Sequence, residues 1–453
     1  MTRQSSLVVG LAAAGLLALF AARLGRSPSV PANIAGQKEA SAERPDAARS
    51  EPAPGGERAA DPGDPDGADS PVDEDGSFEL RPDAARFFAE QSARAGHLLG
   101  DLHLADQVDL KRARLRGDAY VIDNGERGQL VLTLDHALQN AAEAALDRAR
   151  SPKAAIVVMS VDGRILALAG RRGKHAAPDL ATEVWAPAAS IFKIVTAAAL
   201  VEAGISKDRK VCYHGGVRSV VASNLEDDKR RDRLCNSLAY AVARSQNAII
   251  AKLAHRHLRP DDLRTMAHKF GLGSSPPFAL SVHAGSAQIP DEALSFARVA
   301  AGFWQTDLSP MGGAMLAATV ASGGHAVTPH IVTQVIAGDE VTDLQLVPPR
   351  RVIPAAVARE VADMMVGTTE YGTARKGFRD TRGRPFLKDV KVAGKTGTLT
   401  ARSDTYLQFS WFVGFAPADR PEYVVSVLIG NPELWHIKAH TAARIVLQEA
   451  FAP

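Results

Sequence analysis

Three short patterns hold the side chains that could do chemistry: Ser190-Ile-Phe-Lys193, Ser245-Gln-Asn247 and Lys395-Thr396-Gly397-Thr398. Ser190 and Lys193 are three apart, so on a helix both project from one face, one turn apart. A serine hydroxyl is a poor nucleophile unless a base takes its proton. A lysine can be that base only when neutral, which needs desolvation or cationic neighbours. Ile191, Phe192, Ile194 and Val195 are placed to supply the desolvation. Taken singly, each pattern has a plainer reading. Ser190 and Lys193 could be a capping serine and a snorkelling lysine. Ser245 and Asn247 could face a water between helices, and Lys395–Thr398 could be a strand with a bulge. Their occurrence together, in order, sets them apart: Ser245 lies 55 residues after Ser190 and Lys395 a further 150 on.

The elements that must position these residues can be read from periodicity and punctuation. Residues 189–204 read as an apolar helix stopped by Gly204. Residues 237–254 read as a second apolar helix with Ser245, Gln246 and Asn247 in its middle. Three strands are expected near the end, over 390–398, 409–415 and 422–429, followed by a helix from His440 to Phe451. Earlier, 129–135 reads as a strand running into a helix over 137–150, with Asp135 as its cap. Apolar runs at 154–161 and 164–169 flank Asp162-Gly163, a hairpin signal. Residues 260–380 read as mostly helical, with turns at Ser322-Gly323-Gly324 and Gly372-Thr373-Ala374. The fold class expected is α/β mixed (α+β), an antiparallel sheet of about five strands with helices on both faces. Early and late strands must then meet, bringing Lys395 to the Ser190 helix across 205 residues of sequence.

The rest of the chain of 453 residues is organised around that body. Residues 1–26 hold an apolar run, Leu7 to Ala22, with Arg3 before it and Arg23 and Arg26 after it, expected as a membrane anchor or signal. Small residues at a cleavage position are poorly represented, which favours an uncleaved anchor. Residues 27–77 are rich in Pro, Ala, Asp, Glu and Gly and cannot bury enough apolar surface to offset ordering entropy. They are expected as a disordered acidic linker, with 78–130 a small N-terminal region and 131–453 the main domain. The net charge of +2 hides an asymmetry, because residues 27–75 carry −8 and the remainder +10. That tilt suits an anionic ligand or surface. No basic run with interleaved aromatics argues for nucleic acid. The two cysteines, Cys212 and Cys235, are too few for a disulfide scaffold or a zinc site. In an exported chain one bridge between them would be worth about 3 kcal/mol; otherwise they are two buried thiols. No ligand spacing or phosphate loop implies a metal or organic cofactor.

Together the three patterns resemble the penicillin-binding protein transpeptidases, serine penicillin-recognising enzymes of the monofunctional class B-like kind. The resemblance runs over residues 125–453 and includes Leu132–Gln139, Leu316–His330, Gly372–Ala374 and Trp411–Pro417. It departs before the serine, where the family usually has Pro-Gly and this chain has Ala188-Ala189 after Pro187. The resemblance implies a membrane-anchored, single-pass enzyme whose domain faces the periplasm and cross-links peptidoglycan stem peptides. Ser190 would attack the D-Ala-D-Ala carbonyl, neutral Lys193 would take its proton, and Ser245 would relay one to the leaving amine. Asn247, Lys395, Thr396, Gly397 and Thr398 would bind substrate, Gly397 by leaving the strand edge clear, and β-lactams would inhibit. The N–H groups of Ser190 and Thr398 would form the oxyanion hole. A pedestal domain and a glycosyltransferase domain are not expected, so a glycan polymerase would be a separate partner. Two alternatives share the fold: a D,D-carboxypeptidase or β-lactamase, and a non-catalytic cell-wall scaffold. A class A β-lactamase needs a deacylating Glu; Glu292 is the nearest candidate, but Phe296 stands where that family has Asn.

Overall fold

The computed structural model describes residues 100–453 except 218, 304, 403–405, 434 and 453. The anchor over 1–26, the linker over 27–77 and the first part of the region over 78–130 lie outside the described residues. Among the described residues no helix is long and apolar enough to cross a membrane.

The site is carried by an antiparallel sheet of six strands: β1 (Lys153–Ser160), β2 (Ile165–Arg172), β3 (His175–Ala176), β4 (Ala393–Arg402), β5 (Tyr406–Ala416) and β6 (Tyr423–Asn431). Their order is β4-β5-β6-β1-β2-β3, one more than the five expected because of the two-residue β3. β6 pairs with β1, Val425 opposite Val158, so early and late strands do meet at the centre of the sheet. β1 is buried along seven of its eight residues, as a strand covered on both faces requires. Gly163, with φ 102°, makes the β1–β2 hairpin turn.

On one face lie α1 (His136–Ala149) and the C-terminal helix. The Asp135 carboxylate caps α1 by accepting from Leu138 N at 2.8 Å. Leu138, Ala142, Ala145, Leu146 and Ala149 recur at helical spacing and are buried against the sheet. The other face carries the site helices. Ala189–Phe192 is a 3-10 turn that runs into α2 (Lys193–Glu202). Next come α3 (Leu238–Arg244) and α4 (Asn247–His257), and later helices Pro310–Ala321 and Ala355–Glu370. The C-terminal helix is α5 (Ala439–Ala450).

Two expectations change. The stretch over 237–254 is two helices: α3 ends at Ser245 in the left-handed conformation, φ 56°, and Gln246 caps α4. The block over 260–380 also holds strands, of which Val332–Ala337 and Glu340–Asp343 join Arg114–Arg116, Ala119–Asp123 and Gln129–Leu132 in a second sheet. Residues 114–132 and 332–343 thus share one sheet.

Candidate active site

Ser190, the expected nucleophile, sits on a tightly held turn. Ala188 N donates to Thr306 O at 2.8 Å. Ala189 takes φ 50°, a left-handed conformation that a glycine adopts freely and an alanine at about 1–2 kcal/mol. That is where the Ala-for-Gly departure falls. Gly302 lies directly over the Ala189 carbonyl, and any Cβ there would overlap it. Ser190 is thereby presented at the mouth of the turn while Ile191, Phe192, Ile194 and Val195 are fully buried beneath it.

Lys193 is fully buried, and its Nζ lies 2.7 Å from Ser190 Oγ, 2.7 Å from Asn247 Oδ1 and 2.6 Å from Ala301 O. Burial pushes its pKa well below the ordinary lysine value, and the nearby Lys395 pushes it further the same way. A neutral amine has two N–H groups and one lone pair. Asn247 Oδ1 and Ala301 O can only accept, so they take the two N–H groups. The lone pair is left facing the Ser190 hydroxyl, as a general base must be. Asn247 Nδ2 in turn donates to Val217 O at 3.2 Å, which fixes which way round the amide stands.

The helix break places the second pattern. With Ser245 outside both helices, its hydroxyl and the Asn247 amide both line the cleft. A single unbroken helix would point residues two apart in widely different directions. Lys395, fully buried on edge strand β4, donates to Ser245 Oγ at 3.0 Å and to Thr396 O at 2.8 Å. Burial lowers its pKa to about 7. The Thr396 and Thr373 hydroxyls are hydrogen-bonded to each other. Gly397 also has a packing role beside the one expected. Its missing Cβ would press on Trp411, Ala189 and Ile191, so the glycine lets β4 lie against the nucleophile turn.

These residues share one cleft of about 750 Å³, lined by Ser190, Ser245, Asn247, Thr396, Gly397 and Thr398. Sequence reasoning missed other walls. Val217 and Phe303 add apolar lining, and Gln408, Ser410, Lys438 and His440 add polar lining. Burial, with Lys438 and Arg444 nearby, lowers the His440 pKa to about 4, so the imidazole is neutral. Glu292 does not line this cleft; it caps the helix Ala293–Ala300, accepting from Leu294 N at 2.9 Å and Ser295 N at 2.7 Å. Cys212 and Cys235 are joined, opposite one another on the paired strands Lys210–Tyr213 and Leu234–Ser237.

The family model for the penicillin binding protein transpeptidase domain matches residues 154–449. The chain is 29% identical over 256 residues to peptidoglycan D,D-transpeptidase PbpA of Mycobacterium tuberculosis, covering 54% of this chain and 50% of that one. It is 26% identical over 330 residues to stage V sporulation protein D of Bacillus subtilis, covering 67% and 49%. Among solved structures, penicillin-binding protein A from M. tuberculosis as an imipenem acyl-enzyme complex superposes with a TM-score of 0.59 at 26% identity, covering 71% of this chain and 79% of that one. The D,D-transpeptidase domain of a peptidoglycan glycosyltransferase from Eggerthella lenta gives 0.58 at 25%, covering 71% and 82%. The chain spans about half the length of the curated relatives it matches.

Proposed function

The chain belongs to the penicillin binding protein transpeptidase family, and from that membership we propose that it is a peptidoglycan D,D-transpeptidase acting through an acyl-enzyme on Ser190. The observation that carries the proposal is the set of partners around Lys193 Nζ, two pure acceptors and one hydroxyl. The Ser190 proton passes to Lys193 as Oγ bonds to the carbonyl carbon of the penultimate D-alanine. The C–N bond to the terminal D-alanine then breaks, and the leaving nitrogen takes a proton through Ser245. An acceptor amine attacks the ester, its proton leaves by the same route, and Ser190 is restored. The N–H groups of Ser190 and Thr398 hold the oxyanion, a term worth roughly 3–4 kcal/mol per donor. Thr396 and Thr398 take the substrate carboxylate. An anion bound there favours the ammonium form of Lys395, so substrate restores the charge that burial removes.

In this proposal residues 1–26 anchor the chain in the cytoplasmic membrane and the domain works outside it, on strands from a separate glycan polymerase. The Cys212–Cys235 bridge supports an oxidising compartment. Capping by Glu292 speaks for slow hydrolysis, because it leaves no carboxylate from that residue to activate a water.

A fluorescent penicillin tests the proposal on the full chain in detergent. Wild type is expected to be labelled at Ser190 and Ser190→Ala to stay blank, with the adduct long-lived by mass spectrometry. An unlabelled wild type overturns the enzyme, and release of the adduct within seconds overturns the transpeptidase in favour of a β-lactamase.

A further inference from the structure

Lys193 is aligned by the Asn247 amide oxygen, and that amide is oriented by a group outside the three patterns. Its nitrogen donates to the carbonyl of Val217 at 3.2 Å. Val217 belongs to the segment between α2 and α3, which lies along one face of α4. Ala248 and Lys252 are one turn apart on that face. Gly216, φ 71°, sits on Ala248 so closely that any Cβ would overlap it. One turn further along, the fully buried Lys252 donates to Cys212 O at 3.0 Å and to Asp232 Oδ2 at 2.8 Å, with Asp227 3.3 Å away. Asp232 Oδ1 lies 2.5 Å from His214 Nδ1, two residues before Gly216. Asn224 Nδ2 holds the His214 carbonyl at 3.0 Å, and Arg298 Nε holds that of Val220 at 2.9 Å. The Cys212–Cys235 bridge closes the base of the segment.

We propose that this bridged segment is a positioning element for acylation. The Val217 carbonyl sets the Asn247 amide, and through it the amine that activates Ser190. Gly216, Asp232 and Lys252 are positioning residues that seat the segment on α4. None of them touches the reacting atoms. The inference rests on the function proposed above. It also makes the chemistry sensitive to thiols: a dithiol such as dithiothreitol gives two electrons and two protons to the Cys212–Cys235 bond, becomes a cyclic disulfide, and leaves two thiols that no longer fix the base of the segment.

The test measures the rate constant of fluorescent-penicillin acylation per active site against pH, on the full chain in detergent. Gly216→Ala, which lifts Val217 from α4, and the double variant Cys212→Ser/Cys235→Ser are expected to lose about tenfold or more in rate. Total labelling at long times should stay at one per chain, and the acid limb should move to lower pH, because an amine without its Asn247 acceptor binds a proton less well. Lys229→Ala, exposed on the same segment, should keep the wild-type rate. Reduction of wild type by dithiothreitol, read against the cysteine-free double variant, should lower the rate, and reoxidation should restore it. A purely structural role would lower the labelled fraction without moving the rate or the limb, and that result overturns the inference. So do wild-type rates in both variants and in the reduced protein, with Ser190 acylation intact. An unlabelled wild type brings down both this inference and the function on which it rests.

Discussion

Lys193 and Lys252 are both fully buried, on the helices α2 and α4 that pack against each other, and they meet opposite surroundings. Lys193 has a hydroxyl, an amide oxygen and a backbone carbonyl. Among the described residues no carboxylate bonds to it, and its pKa falls well below the ordinary value. Lys252 has the carboxylates of Asp232 and Asp227 and the carbonyl of Cys212. Although burial opposes it, hydrogen bonds from His214 and Lys252 hold the Asp232 carboxyl down at about 2. Burial alone therefore does not decide the state of a titratable group. A buried charge persists where it is paired, and a neutral amine results where the neighbours are neutral acceptors.

Exchanging each amine for an apolar isostere should separate the two by stability. Lys193→Met is expected to lower penicillin acylation about 10³-fold or more, the usual scale for a lost general base, without lowering the melting temperature. Lys252→Met takes the amine from the buried Asp232 carboxylate, while exposed Asp227 keeps Arg256, and should lower unfolding free energy by about 3 kcal/mol, by urea titration. An equal loss of unfolding free energy in the two would break the comparison. Asn247→Asp sharpens it by giving Lys193 a carboxylate of its own. Opposite charge raises the pKa of the amine, so the base is protonated at neutral pH. The rate at pH 7 should fall about tenfold or more and recover as pH rises, with the acid limb displaced upward. The smallest effect concerns Lys395. Its value is about 7 when folded against 10.5 for the ordinary side chain. Between those values the unfolded chain holds the extra proton, so stability rises with pH, by at most about 1.4 kcal/mol per pH unit from this group. The melting temperature should climb from pH 7 to pH 9 in wild type and climb less in Lys395→Met.

Much of this site was legible because its parts carry local signals. Asp135 caps α1 and Gly163 turns the hairpin as their residue types suggest. Ser190 and Lys193 need only helical spacing to meet. The break at Ser245 was hidden, because neither Gly nor Pro marks it and a serine at positive φ is uncommon. Val332–Ala337 was missed although Gly338-Asp339 marks its local hairpin with Glu340–Asp343; its other pairing, with Gln129–Leu132 about 200 residues earlier, leaves no local pattern. Val217 and Ala301 act through backbone carbonyls, which no side-chain motif encodes. Lys438 and His440 reach the cleft only because α5 begins there.

The pairing of β6 with β1 has a consequence for how the chain is made. During synthesis the serine and its base emerge more than two hundred residues ahead of the strand that completes the sheet between them and Lys395. A nascent or prematurely terminated chain ending after Arg402 contains every motif residue yet lacks β5 and β6, the strands that connect β4 to β1. On the proposed function, Ser190 would thus become reactive only once nearly the whole polypeptide has been made.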